Sequence, residues 1–424
     1  MTHPTQPRVH ALANGVTVIC DTVPGFETLA LSVVAGRGAR WEGPQHSGWS
    51  HLLEHMVFKG AGGRHARAIV EAIEAQGGQI NAATGYERTS FQVRALKGAL
   101  PLATSVIADL LFRPTLDADD LEREKRVVGQ EIAEAADTPD DEVFEIAQTA
   151  AFAGQPLGRP ILGSPASIAR AEPNTLEAWR AGLYAPDRLV VSAAGAVDEE
   201  ALLALAEQAF GSAVGARAPA PPPAAFTGGS VLKRRRLEQA HLVFLLPAPG
   251  VADPDHWALR LFAEMLGGGM SSRLFQEARE RQGLAYAIDA YADTYADAGV
   301  LGVYAGCAPA DAERLAVVVA EQIHALAQRV GPEELGRAKI QLQAGLFMAR
   351  ESLSSRAEQS AAQWLAFGRL LAPADIAAAI EAVTADDIGR LARRSLAPRQ
   401  TTLAILGPKA STAPAERFEA TLFG

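Results

Sequence analysis

ARAPAPPPAAFTGGS, residues 216–230, divides the 424-residue chain nearly in half. Its prolines favour an extended, semi-rigid backbone and its closing glycines end that stretch, so it predicts a tether between folded bodies. A chain this long also exceeds one ordinary hydrophobic core. The expected organisation is therefore a domain at 1–215, the tether at 216–230 and a second domain at 231–424.

Both sides of the tether carry the same succession of signals. Upstream, residues 16–20 and 28–35 are rich in β-formers and read as strands. Helical patterns follow over 47–58 and 66–76, then strands over 79–84 and 89–96, then a helix from Pro101. Downstream come a strand over 240–246, helices over 255–266 and 272–281, strands over 285–292 and 299–305, and a helix from Asp311. Met56 and Met265 stand 209 positions apart (265 minus 56), and the same offset carries Pro101 to Ala310, beside the matching helix start. The pattern predicts an internal duplication. The expected fold class is α+β: two tandem similar domains, each a mostly antiparallel sheet with helices packed on one face.

Composition narrows the function classes. The formal net charge is -10, which disfavours binding to a phosphate backbone. No run approaches the roughly 18 apolar residues of a spanning helix, so no membrane partner is expected. The first 16 residues lack a basic region followed by an apolar one, so no secretory leader is expected. Cys20 and Cys307 are far apart in apolar surroundings and read as buried free thiols in a reducing compartment. With the Ala- and Arg-rich texture, these features predict a bacterial cytoplasmic protein.

The chemistry lies in His51-Leu52-Leu53-Glu54-His55. On a helix, His51 and His55 at i and i+4 stand one above the other, and Glu54 leans toward the same face. Two imidazoles so spaced can share a zinc ion, with Leu52 and Leu53 left to pack inward. This inverted order is a known zinc-protease motif. A catalytic zinc needs a third protein ligand and one position for water. The helix expected over 117–135 offers Glu124 and Glu131, seven apart and on one face; on spacing alone Glu134 is nearly as good a ligand as Glu131.

GWSHLLEHMVFKG, then GGQINAATGYERTSF, then LEREKRVVGQEIAE resemble the pitrilysin or insulinase family of metallopeptidases. The likeness is closest to single-chain bacterial relatives of the mitochondrial processing peptidase, and extends to GGGMSSRLFQEARERQGLAYAIDAY in the second half. The resemblance implies that His51, His55 and Glu131 bind one zinc per chain, that Glu54 is the general base, and that Glu124 is a supporting carboxylate. It places Asn81 beside the bound peptide, and matches Arg279 and Tyr286 to a pair that reaches across a cleft. It further implies two similar halves closing as a clam-shell, with only the first carrying the metal: the 209 offset maps His51, Glu54 and His55 to Arg260, Ala263 and Glu264.

These readings predict a zinc metalloendopeptidase. Its peptide would add as a strand along 79–84, with Asn81, Ala82, Ala83 and Thr84 as the binding segment. Tyr286, with Arg279, would stabilise the oxyanion. Enclosure would favour short, unfolded or presequence-like substrates. Relatives of this size pair, so a homodimer or a heterodimer with a related subunit is expected. The alternative function is a non-catalytic partner subunit of a processing-peptidase-like assembly. His46 and His65 read as surface histidines, KRRR at 233–236 as a solvated charge run, and Gly267, Gly268 and Gly269 as a turn after a helix rather than a phosphate loop.

Overall fold

The computed structural model describes residues 6–215 and 219–424. The first five residues of the chain and the first three of the expected tether lie outside them. Strands are β1 (Arg8–Ala11), β2 (Thr17–Thr22), β3 (Thr28–Ala35), a two-residue pair β4 (Gly60–Ala61) and β5 (Arg64–His65), β6 (Gln79–Thr84), β7 (Thr89–Leu96), β8 (Leu189–Gly195), β9 (Gly229–Arg234), β10 (Ala240–Ala248), β11 (Ala285–Thr294), β12 (Gly299–Cys307) and β13 (Thr402–Gly407). The helices are α1 (Trp49–Val57), α2 (Ala66–Glu74), α3 (Leu100–Phe112), α4 (Ala118–Asp137), α5 (Pro139–Ala151), α6 (Pro165–Ile168), α7 (Pro173–Leu183), α8 (Glu199–Phe210), α9 (His256–Gly267), α10 (Ala312–Gln328), α11 (Pro332–Ala349), α12 (Leu353–Phe367), α13 (Pro373–Ala382), α14 (Ala385–Leu396) and α15 (Ala413–Phe423).

The chain forms two compact units that do not follow the sequence halves. The first comprises Met1–Ala133, Arg159–Pro222 and Phe347–Ala372; the second comprises Glu134–Gly158, Pro223–Leu346 and Pro373–Gly424. Each unit thus borrows a helical segment from the other half of the chain. The expected bounds 1–215 and 231–424 omit that exchange.

In the first unit six strands make one sheet in the order β1-β2-β8-β3-β7-β6, and β4 and β5 pair separately. Of its pairings, β2 with β8 is parallel and the others are antiparallel. The near-continuous apolar run of β3 has a physical reason: both of its faces are covered. Leu29, Leu31 and Val33 enter the main core with α1, α2, α3, α7 and α8, whereas Ala30 and Val34 meet α12 on the opposite face. Helices therefore cover two faces, not the one expected. Ala357 and Ala361 let α12 approach closely, and a Cβ on Gly36 would come within 2.6 Å of Leu365. Arg356 seals this contact by donating to both carboxylate oxygens of the fully buried Asp21 at 2.8 Å.

The second unit repeats the plan. Its sheet runs β11-β12-β10-β13-β9, with β9 parallel to β13 and the remaining pairs antiparallel. That is the order and sense of β6-β7-β3-β8-β2, so the duplication read from the sequence is present in the topology. Here α5 packs across β9, β10 and β13, as α12 does in the first unit. Lys233 and Arg235 pair with the buried Glu142 of α5. The KRRR run is thus partly engaged in fastening a helix, a correction to its reading as solvated charge. Cys20 and Cys307 are buried and free, as expected.

Candidate metal centre

Nine residues make a marginal helix in isolation, so α1 depends on packing. Leu52, Leu53, Met56 and Val57 are fully buried, each contributing about 1.5–3 kcal/mol. That burial leaves His51, Glu54 and His55 on the remaining, partly exposed side. The N-terminus of α1 is pinned from outside the helix. Gly48 has φ +87 and sits against the backbone of residues 162–163, where a Cβ would lie 2.4 Å from the Leu162 carbonyl oxygen. Glu42, itself buried, accepts from the Gly48 and Ser50 amides at 2.7 Å each. These are orphan donors of the first turn, and a carboxylate there also meets the positive end of the helix dipole. Burial pushes Glu42 up to about 7, and the two amides pull it back.

His51 and His55 lie one turn apart and meet edge-on, with ring centroids 4.7 Å from each other. Across from them, α4 brings Glu131 between the two Nε2 atoms: His51 Nε2 is 3.7 Å from Oε2 and His55 Nε2 is 3.6 Å from Oε1. Donor atoms bonded tetrahedrally at about 2.0–2.1 Å stand roughly 3.3–3.4 Å apart, so small inward shifts would close this triad on one ion. The three residues form the one such group among the described residues. Two imidazoles and a carboxylate suit zinc. Glu134, the near-equal alternative on spacing, is absent from that group.

Support for the triad is asymmetric. His55 Nδ1 meets Glu124 Oε2 at 3.0 Å, and Lys59 Nζ holds the other Glu124 oxygen at 2.7 Å. That chain fixes the ring so that Nε2 faces Glu131. His51 Nδ1 is buried without a hydrogen-bond partner among the described residues. Burial, with the charge of His55, lowers His51 to about 4 and keeps it neutral, the form that can donate a lone pair. Glu54 is raised by burial and pulled back by the Thr84 hydroxyl, which donates to Oε2 at 2.6 Å.

The remaining expected residues divide by place. Asn81, Ala82, Ala83 and Thr84 lie on β6, the open edge of the first sheet. Ala82 and Ile80 pack toward the core on the face that Thr84 shares, while Asn81 and Ala83 face the other way. Arg279 and Tyr286 belong to the second unit. Arg279 sits in a π-helix over Phe275–Arg281, its guanidinium 4.7 Å from the Phe275 ring centre. Tyr286 is 64% exposed at a β-bulge between Ala285 and Ala287. Both irregularities are of kinds enriched at functional sites. His65 accepts from the Ala68 amide as a helix cap, and His46 packs beside Trp49, so neither joins the centre.

Sequence reading missed Glu42, Lys59 and the Thr84–Glu54 bond. Glu42 had a faint signal: it is the lone carboxylate between Glu27 and Glu54. Tyr184 was missed too; its buried phenol is raised by burial and by the Glu54 charge.

Comparison with known proteins meets the same features. Residues 17–165 match the family described as Insulinase (Peptidase family M16), and residues 170–342 match the Peptidase M16 inactive domain. An uncharacterized zinc protease of Rickettsia bellii is 34% identical over 401 residues, covering 94% of this chain and 97% of that protein. One from Mycobacterium tuberculosis is 37% identical over 413 residues, covering 96% and 94%. Among solved structures, a protease from Helicobacter pylori superposes with TM-score 0.87 at 21% identity, covering 96% of this chain and all of that one. A chain of Complex III2 from Candida albicans gives 0.85 at 19%, covering 98% and 99%. At these identities the structural likenesses speak for the fold alone. No helix among the described residues is long and apolar enough to cross a membrane.

Proposed function

This chain belongs to the pitrilysin/insulinase family of peptidases, peptidase family M16, and from that premise we propose that it is a zinc-dependent endopeptidase for short or unfolded peptides. The observation that carries the reading is the convergence of His51, His55 and Glu131 beside a base, Glu54. We assign the three as ligands of one zinc ion per chain. Zinc bound there would acidify water and polarise a peptide carbonyl.

The protein's own groups supply the rest. Glu54 takes a proton from the attacking water and returns it to the leaving amine; burial raises its proton affinity toward that task. Glu124, held by Lys59, orients His55. The main chain of β6, with Asn81, Ala82 and Ala83, takes the peptide as an added strand, which makes sequence selectivity loose. Arg279 and Tyr286 receive the role the family resemblance implies, stabilising the developing oxyanion; their bulged and π-helical settings support it. Assembly as a homodimer, or with a related subunit, belongs to the same reading.

Glu54→Gln should keep zinc and lose at least about a thousandfold in kcat on a quenched peptide. Chelation should silence the wild type and zinc should restore it. A wild-type chain that holds zinc without cleaving any peptide would favour the partner-subunit alternative instead, and full activity in Glu54→Gln would remove Glu54 from the mechanism.

A further inference from the structure

We infer that Thr84 is the positioning residue that aims the general base, tying the peptide-binding edge to the catalytic carboxylate. This rests on the peptidase reading above. Thr84 ends β6 and pairs with Thr89 across the hairpin. Its hydroxyl makes the one bond from another side chain that Glu54 has among the described residues, to Oε2 at 2.6 Å, and the Thr84 main chain also favours the ionised carboxylate. That length is typical of a hydroxyl donating to an ionised carboxylate, a bond about twice as strong as a neutral one. Rotation about the last torsion of a glutamate is otherwise broad. With Oε2 tethered, Oε1 is the oxygen left to work.

The tether has a rigid anchor. Gly85 O accepts from the Ala39 amide at 3.0 Å, and Tyr86 O accepts from the Arg40 amide at 2.8 Å. A Cβ on Gly38 would come within 2.2 Å of Gly85 O, so this approach requires glycine. Three residues beyond Ala39, Glu42 grips the first amides of α1. Residues 38–42 thus hold both the end of β6 and the start of the helix bearing Glu54, and the Thr84 hydroxyl closes the loop between them. A peptide hydrogen-bonded along β6 takes its register from the same strand that orients the base. Thr84 ends the segment expected to take the peptide by its main chain, and its side chain, on the Ile80 and Ala82 face, donates to Glu54.

The test uses Thr84→Val, which keeps shape and removes the donor, and Thr84→Ser, which keeps the donor. In metal-free protein, Thr84→Val should lower the melting temperature by about 2 °C, and this decrement should vanish in a Glu54→Ala background. In zinc-loaded protein, Thr84→Val should keep one zinc per chain and a KM within about twofold, while kcat falls about tenfold or more. Thr84→Ser should recover kcat to within about threefold. The inference is overturned if Thr84→Val turns over like wild type, if the loss lies in KM or zinc content, or if serine fails as badly as valine. An absent Thr84–Glu54 coupling in the metal-free protein overturns it as well, and that readout needs no turnover. Should the wild type show no zinc-dependent cleavage, the peptidase reading fails separately, while the coupling still decides whether the bond exists.

Discussion

His51 shows how burial prepares a ligand. Its side chain is 14% exposed, and desolvation, reinforced by His55, brings its pKa down to about 4 from an ordinary 6.5. A depressed histidine contributes stability that is present above about pH 6.5 and lost as pH falls toward 4. Metal-free wild type should therefore lose roughly 3 kcal/mol relative to His51→Gln across that window, read from urea unfolding at each pH. A constant difference between the two proteins would contradict the buried, neutral ring. His51, Glu54 and His55 were legible in the sequence because a 3.6-residue turn converts i and i+4 directly into proximity. Glu131 and Glu134, three apart on one helix, were not separable that way; the geometry across from α1 distinguishes them.

At the level of elements, α1 is a short helix whose start depends on Glu42, a carboxylate outside the helix. Removing Glu42 leaves two buried amides without an acceptor, at a cost of about 1–3 kcal/mol. Glu42→Ala should lower the melting temperature of the metal-free protein and weaken its zinc affinity together, because the helix carries two of the three ligands. A variant that loses neither would show that packing of Leu52, Leu53, Met56 and Val57 suffices. Period-2 and period-3.6 patterns placed some elements closely: the strands expected at 28–35, 79–84 and 89–96 have those bounds in the structure. The stretch over 272–281, read as a short helix, contains a π-helix whose extra residue per turn has no compositional mark. Glu42 and the Thr84 bond also left little trace, since each joins positions with no shared periodicity.

For the whole molecule, the repeated succession of strands and helices announced two similar bodies, and one break between the units, at 222/223, falls within residues 216–230. What the sequence concealed is the exchange of 134–158 and 347–372. Helices α5 and α12 look like ordinary amphipathic helices of their own halves; their destinations depend on long-range fits such as Arg356 with Asp21 and Lys233 with Glu142. Both halves must therefore be present for the first unit to be complete. The most direct measurement is zinc per full-length chain, by native mass spectrometry, for wild type, Glu131→Gln and Glu134→Gln. One ion should be retained by wild type and by Glu134→Gln, with affinity at least about a hundredfold weaker in Glu131→Gln. Undiminished binding by Glu131→Gln, or no ion in the wild type, would contradict the centre built from His51, His55 and Glu131.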